Sequence, residues 1–233
     1  MAVYTWYLLS LWFGCSSDPS EKELSPSEQL VRASDKVIFT SVEQLGPHRS
    51  VSTFQRREYR GEGLETEHEE VLQIAWKDWD NFQASRFVDS ELVSGVVIAD
   101  FNTWEYAGSQ WIKRDDGELY RVQLRSTWNQ WDDVLRHFSD HIIWEVVGEE
   151  VLEGRKTQKY VARFTKPEVS KKTLRPLSFQ GTVWVDELTA VRILGEVSAE
   201  LARGSYKKSL RLQVQRTDIG AELEVSPPQE LTK

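Results

Sequence analysis

The chain has 233 residues, and its 29 Lys and Arg against 37 Asp and Glu give a net charge of -8. That acidic balance argues against a nucleic-acid partner, whose phosphates call for a basic patch. The length suits one ordinary domain or two small ones, and 39% hydrophobic residues, with ten Trp, nine Phe and seven Tyr, can supply a large core or an apolar cavity.

No charged residue precedes Asp18, and Tyr4, Trp6, Tyr7, Leu8, Leu9, Leu11, Trp12 and Phe13 form a dense apolar block. The block is shorter than the roughly 20 residues a spanning helix needs, and has about the length of a signal-peptide apolar region. It ends at Gly14-Cys15, and Cys15 is the only cysteine. A small residue before a lone Cys, at the break between apolar and polar sequence, reads as a bacterial lipoprotein signal over residues 1–15, with Cys15 as the lipidated first residue. Two features depart from that pattern: Trp12 stands where Leu is usual, and the basic start of a signal is missing, consistent with a start codon upstream. The competing reading is an apolar N-terminal strand with an incidental Cys. No second Cys offers a disulfide, and no Cys/His cluster suggests a metal or thiol site.

Residues 16–26, rich in Ser, Pro and charge, read as a flexible tether. Residues 27–228 read as the folded domain, with 229–233 as a tail. Ser27 is placed to cap a helix running to about Leu45, stopped by Gly46-Pro47. The period then becomes two. Strands are expected over Val51–Arg60, Val71–Trp79, Phe82–Val88, Ser94–Phe101, Thr103–Trp111 and Leu119–Leu124, the last pair joined at Asp115-Asp116-Gly117. Leu72, Ile74 and Trp76 alternate onto one face. Trp128, Trp131, Leu135, Phe138 and Ile142 recur every three or four residues, which predicts a second helix over Trp128–Ile142.

Strands return at Trp144–Val151 and Gln158–Phe164. A basic loop, Thr165–Pro176, carries Lys166, Lys171, Lys172 and Arg175, which could meet anionic lipid head groups. Leu177–Val185, Val191–Ala199, Tyr206–Thr217 and a short Ala221–Val225 complete the strands. The expected fold is mainly β (α+β): a curved antiparallel sheet forming an incomplete β-barrel, with an N-terminal helix and one mid-chain lid helix.

Three segments carry a resemblance to a family: Gly148 to Gly154 leading to Tyr160, Gly181 to Glu187, and Thr217-Asp218-Ile219-Gly220 followed by Pro227. With the lipobox-like Cys, they resemble the LolA/LolB and LppX/LprG type of bacterial lipoprotein and lipoprotein carrier. Ala190 stands where that family often has Gly after an Asp-x-x-Thr turn. The resemblance implies a half-barrel, lidded by helices, that holds acyl chains. It also implies an envelope address, and the absence of Asp after Cys15 favours the periplasmic face of the outer membrane.

Chemistry is sparse. His137 and His141 are four apart, but Phe138 stands where a His-Glu-x-x-His motif needs Glu, so a solvated polar face is expected rather than a metal site. Glu67-His68-Glu69-Glu70 and Glu149-Glu150 read as exposed charge near turns or strand starts. No nucleophile elbow or phosphate-binding glycine loop is present. The expectation is therefore a protein that is not an enzyme, holds no metal or cofactor, and binds lipid or lipoprotein acyl chains. Palmitate-type chains on Cys15 would hold it on a membrane. Leu72, Ile74, Trp76, Trp104, Trp111, Val183 and Val185, with Trp131, Leu135 and Phe138 of the lid, are expected to line the cavity. The alternative is a structural or interaction lipoprotein whose barrel is filled by its own side chains; a periplasmic hydrolase is the third reading.

Overall fold

The computed structural model describes residues 44–115, 130–135, 137–165 and 174–228. The signal, the tether, most of the first helix, the Leu119–Leu124 strand and most of the basic loop lie outside them. Gln44 and Leu45 are helical, and Gly46, at φ +81°, ends that helix as expected.

Eleven strands form one curved antiparallel sheet: β1 (His48–Arg60), β2 (Gly63–Asp78), β3 (Asn81–Val88), β4 (Glu91–Ala99), β5 (Asn102–Ala107), β6 (Gln110–Arg114), β7 (Ile142–Leu152), β8 (Arg155–Phe164), β9 (Arg175–Asp186), β10 (Arg192–Arg203) and β11 (Tyr206–Thr217). The order is β6-β5-β4-β3-β2-β1-β11-β10-β9-β8-β7, so the sheet does not close. Two meanders, each built of short-range hairpins, meet where β1 pairs with β11 from Arg49–Thr217 to Arg60–Tyr206.

Four sequence expectations change. First, β2 starts eight residues before Val71. Its acidic run is strand, because it faces the cations of β1: Arg57 pairs with Glu67 and Arg60 with Glu65 at 2.7 and 2.8 Å, and Gln55 donates to Glu69. Second, Thr103–Trp111 is a hairpin, turned at Gly108-Ser109 with both φ positive. Third, the mid-chain helix does not reach Ile142. α1 spans Gln130–Leu135, a 3-10 turn follows at Ser139–His141, and Ile142 opens β7. The amides of Phe138 and His141 bond three residues back, to Leu135 and Phe138, which tightens the chain and turns Phe138 into the core. Fourth, residues 221–228 form no strand, although Leu223 is buried. The turn at Asp218–Gly220, whose Gly220 amide bonds Pro47, leads the chain away from the ladder.

α1 packs on one face of the sheet, the inner face. Beneath it lie Phe54, Val183, Val197, Leu201, Leu212 and their neighbours, sealed by Trp131, Val134 and Phe138. A second apolar sector, Trp76, Phe82, Ala84, Val96 and Ile98, lies across β2–β4. β8 and β9 pair only from Thr157–Asp186 to Val161–Thr182. Where they diverge, Phe138, Phe164, Phe179 and Trp144 meet edge to face or tilted, with centroids 5.1–6.3 Å apart.

Candidate functional site: the inner face and its lid

Alternation along paired strands assigns each side chain to a face. Ser50 faces Arg216 on β11 and Ile74 on β2, and Ile74 continues to Ala84 and Val96. The next row is His48, Trp76, Phe82, Ile98 and Thr103. On the other side Gly195 and Val183 continue the row of Ser52 and Val214. The inner face is therefore two apolar sectors separated by a polar seam on β1 and its neighbours.

Eight of the ten expected cavity residues belong here. Leu72, Ile74 and Trp76 share the β2 sector, and Val183 and Val185 lie on β9 beneath α1. Trp131 and Phe138 are buried in the same cluster, with Leu135 half-buried against it. Trp104 and Trp111 are placed elsewhere. Val97 opposes Trp104, and Gly95 opposes Tyr106, which opposes Trp111, so both indoles lie on the outer face. The missed turn at Gly108-Ser109 hides this pairing in the sequence. Trp111 stacks edge-on with Tyr106 at 5.4 Å and overlies Gly95.

Sequence reading missed Phe54, Val197, Leu212, His48 and Arg216. The alternation Leu210, Leu212, Val214 was a sufficient signal for the apolar ones. Nothing local marks an inward Arg.

α1 is held by three kinds of contact. The Ser52 hydroxyl donates to Gln130 Oε1, and Gln130 Nε2 donates to Glu70 at 2.9 Å. Glu70 is also bonded by Arg86. Burial pushes the Glu70 carboxyl up, but hydrogen bonds from Arg86 and Gln130 outweigh it and hold it below the usual range. Trp131 lies over Gly195, where a Cβ would stand 2.5 Å from the indole. The Arg192 guanidinium covers the Trp131 ring at 4.5 Å.

Two further residues lie at the end of the inner face where β1 begins. His48 is buried, with Nδ1 2.8 Å from the Gly46 carbonyl, and burial, aided by the nearby Arg216, lowers it to about 4. Arg216 donates to the Arg192 carbonyl, yet its Nε is enclosed without a partner. On the outer face an open polar depression of about 400 Å³ spans β9–β11, lined by Gln180, Thr182, Glu196, Ser198, Arg211 and Gln213. Among the described residues no group of three His, Asp or Glu could hold a metal ion.

No family model matches the chain, and no curated protein does. Solved structures do. A LolA superfamily protein from Nitrosomonas europaea matches at 12% identity, over 90% of this chain and 99% of that one, with a TM-score of 0.27. The lipoprotein LppX of Mycobacterium tuberculosis matches at 14%, over 87% and 100%, with a TM-score of 0.30. MucB matches at 16%, over 88% of this chain and 63% of its own length, also with a TM-score of 0.30. The first two are of the kind the sequence resembles. At such TM-scores the likeness carries no functional weight.

Proposed function

We propose that this chain is a lipid-anchored bacterial envelope protein that binds or carries an apolar ligand, an acyl chain or the lipid moiety of a lipoprotein, on the inner face of its sheet. The observation that carries the binding half is the construction of that face. The strands carry a one-sided apolar inner face, and one sector of it is covered by α1, held through the Ser52–Gln130–Glu70 clasp and the Trp131–Arg192 stack. Apolar surface without an intervening hydrogen-bonded ladder can exchange a protein cover for a lipid one at little cost in unpaired polar groups. The anchoring half rests on the sequence around Cys15, and the address, with the outer membrane favoured, rests on that sequence and on the family resemblance.

A second reading is favoured by a specific observation. Val134 and Phe138 are wholly enclosed, so the sector beneath α1 is filled by the protein's own side chains. On that reading α1 is a permanent plug of a structural or interaction lipoprotein. Trp131→Ala separates the two. A plug loses about 3–5 kcal/mol of stability on truncation of a buried Trp and leaves the protein indifferent to acyl chains. A lid loses less and changes the uptake of a fluorescent fatty acid more. Native mass spectrometry of the purified chain adds the direct check: co-purified lipid supports the carrier, and a lipid-free chain that takes up no added acyl chain overturns it.

A further inference from the structure

The two ends of the sheet differ in what their turns carry. At one end the β1–β2, β3–β4, β5–β6 and β10–β11 turns are Gly61-Glu62, Asp89-Ser90, Gly108-Ser109 and Gly204-Ser205, all small or polar. At the other end lie the β2–β3, β4–β5, β7–β8 and β9–β10 turns, and Trp79, Phe101 and Leu188 stand in the turns themselves. Leu188 is 84% exposed, Phe101 80% and Val151, two residues before the β7–β8 turn, 71%; no other described large apolar residue exceeds 55%. Exposed apolar residues scattered singly are ordinary, but here the three most exposed gather at one end.

Folding does not account for these side chains. Ala99 pairs with Asn102, so Asp100 and Phe101 are the central residues of a two-residue hairpin turn, at φ +48° and +66°. Such turns favour Asn-Gly or Asp-Gly, and a bulky residue in this region is strained. Phe101 holds the position that glycine suits best, and no burial offsets that strain. Leu188 stays in water while the residues around it are drawn in: the Asp186 carboxylate bonds the amide and hydroxyl of buried Thr189, and Val191 packs with Leu45 and Ile193. Trp79 is half-buried, edge-on to Trp76 at 4.9 Å.

The exposed residues are spread along the rim. From β4 to β10 the sheet order counts five steps, roughly 24 Å at the usual strand spacing, and β7, with Val151, lies three strands further on. A pocket for one side chain cannot take residues so far apart, whereas a broad apolar boundary meets them together. We propose that this end of the sheet rests on a lipid bilayer, with Phe101 and Leu188 entering the interface between head groups and acyl chains and Val151 beside them. Asp100 and Glu187 directly precede the two tips, so the attraction is apolar and does not call for anionic head groups. The polar turns of the opposite end then face away from the membrane. The choice of a bilayer over a protein partner rests on the membrane-anchored reading; the acyl-binding reading plays no part in it.

The test is hydroxyl-radical footprinting by mass spectrometry on the full chain carrying Cys15→Ser, which takes no acyl group, with and without phosphatidylcholine vesicles. Oxidation of Phe101 and Leu188 is expected to fall about threefold or more as lipid replaces water over them. Leu64 and Val93, exposed near the opposite end, are expected to keep their solution values. Phe101→Gly deletes one tip and relieves its turn. The urea midpoint is expected to hold or rise, while the vesicle concentration that half-protects Leu188 rises about tenfold. Unchanged oxidation at both tips on vesicles overturns the assignment. Equal protection of Leu64 and Val93 overturns it as well, since it marks adsorption with no preferred end. Protection that appears without vesicles and grows with protein concentration overturns it in favour of contact between copies of this chain. A Phe101→Gly chain whose Leu188 is protected at the wild-type vesicle concentration also overturns it. None of these results bears on the anchor, which is read separately from the intact mass of the native protein: protected tips with an unmodified Cys15 remove the anchor and keep the bilayer contact.

Discussion

Asp186 accepts two bonds from Arg155, at 2.7 and 2.9 Å, and bonds both the amide and the hydroxyl of Thr189. These partners fix the β9–β10 turn so firmly that Ala190 closes it at φ +56°. A side chain in that region costs about 1–2 kcal/mol, of which glycine's extra unfolded entropy returns about half. Ala190→Gly is therefore expected to stabilise the chain by about 1 kcal/mol or less, read as a higher urea midpoint with an unchanged slope. A lower midpoint sinks this account of the turn. His48 makes a second residue-scale prediction. Its ordinary value of 6.5 falls to about 4 in the fold, by burial first and the Arg216 charge second. Between those values the unfolded chain binds a proton that the folded chain refuses, so stability rises with pH across this window and levels off above it. The full difference is about 3 kcal/mol. Glu70 and Asp186, both held below their ordinary range, lose their contribution only as pH falls further, below about 4.5. Denaturation of His48→Gln between pH 7 and 4.5 should show most of the wild-type slope gone; an unaltered slope assigns it to other groups.

At the scale of elements, α1 is held on the sheet by packing and by the Gln130 clasp. Gly195 is the position that allows close approach, because a Cβ there would meet Trp131 at 2.5 Å and Val183 at 3.3 Å. Gly195→Ala is expected to cost about 1–3 kcal/mol by overpacking. The cost should shrink markedly in a Trp131→Ala background, where the indole is absent. Thermal or urea denaturation of the four-member cycle measures that coupling. Equal costs in both backgrounds would place the strain somewhere other than the lid. The helix was legible as an apolar stripe, but its end was not. Phe138 and Ile142 continue the three-and-four spacing, and only the turn after Leu135 assigns one to the core beneath α1 and the other to a strand.

At the scale of the whole molecule, the β1–β11 seam joins residues 49–60 to 206–217 and makes one sheet from two meanders. Two acyl chains give stable membrane attachment where one is marginal. Cys15→Ser is expected to release the protein from the membrane fraction or to block its maturation, and an unmodified Cys15 in the intact mass of the native protein would sink the anchor. What the sequence alone determined was local: period-two alternation, tight turns, an apolar stripe and the break in composition at Cys15, each encoded within a dozen residues. The tertiary structure decided which face of each strand is inward. That choice depends on register across strands far apart in sequence, where one unrecognised turn moved Trp104 and Trp111 to the outer face. It also decided that Arg216 is inward, because a lone Arg in an alternating strand carries no local mark of whether water or a protein interior will surround it.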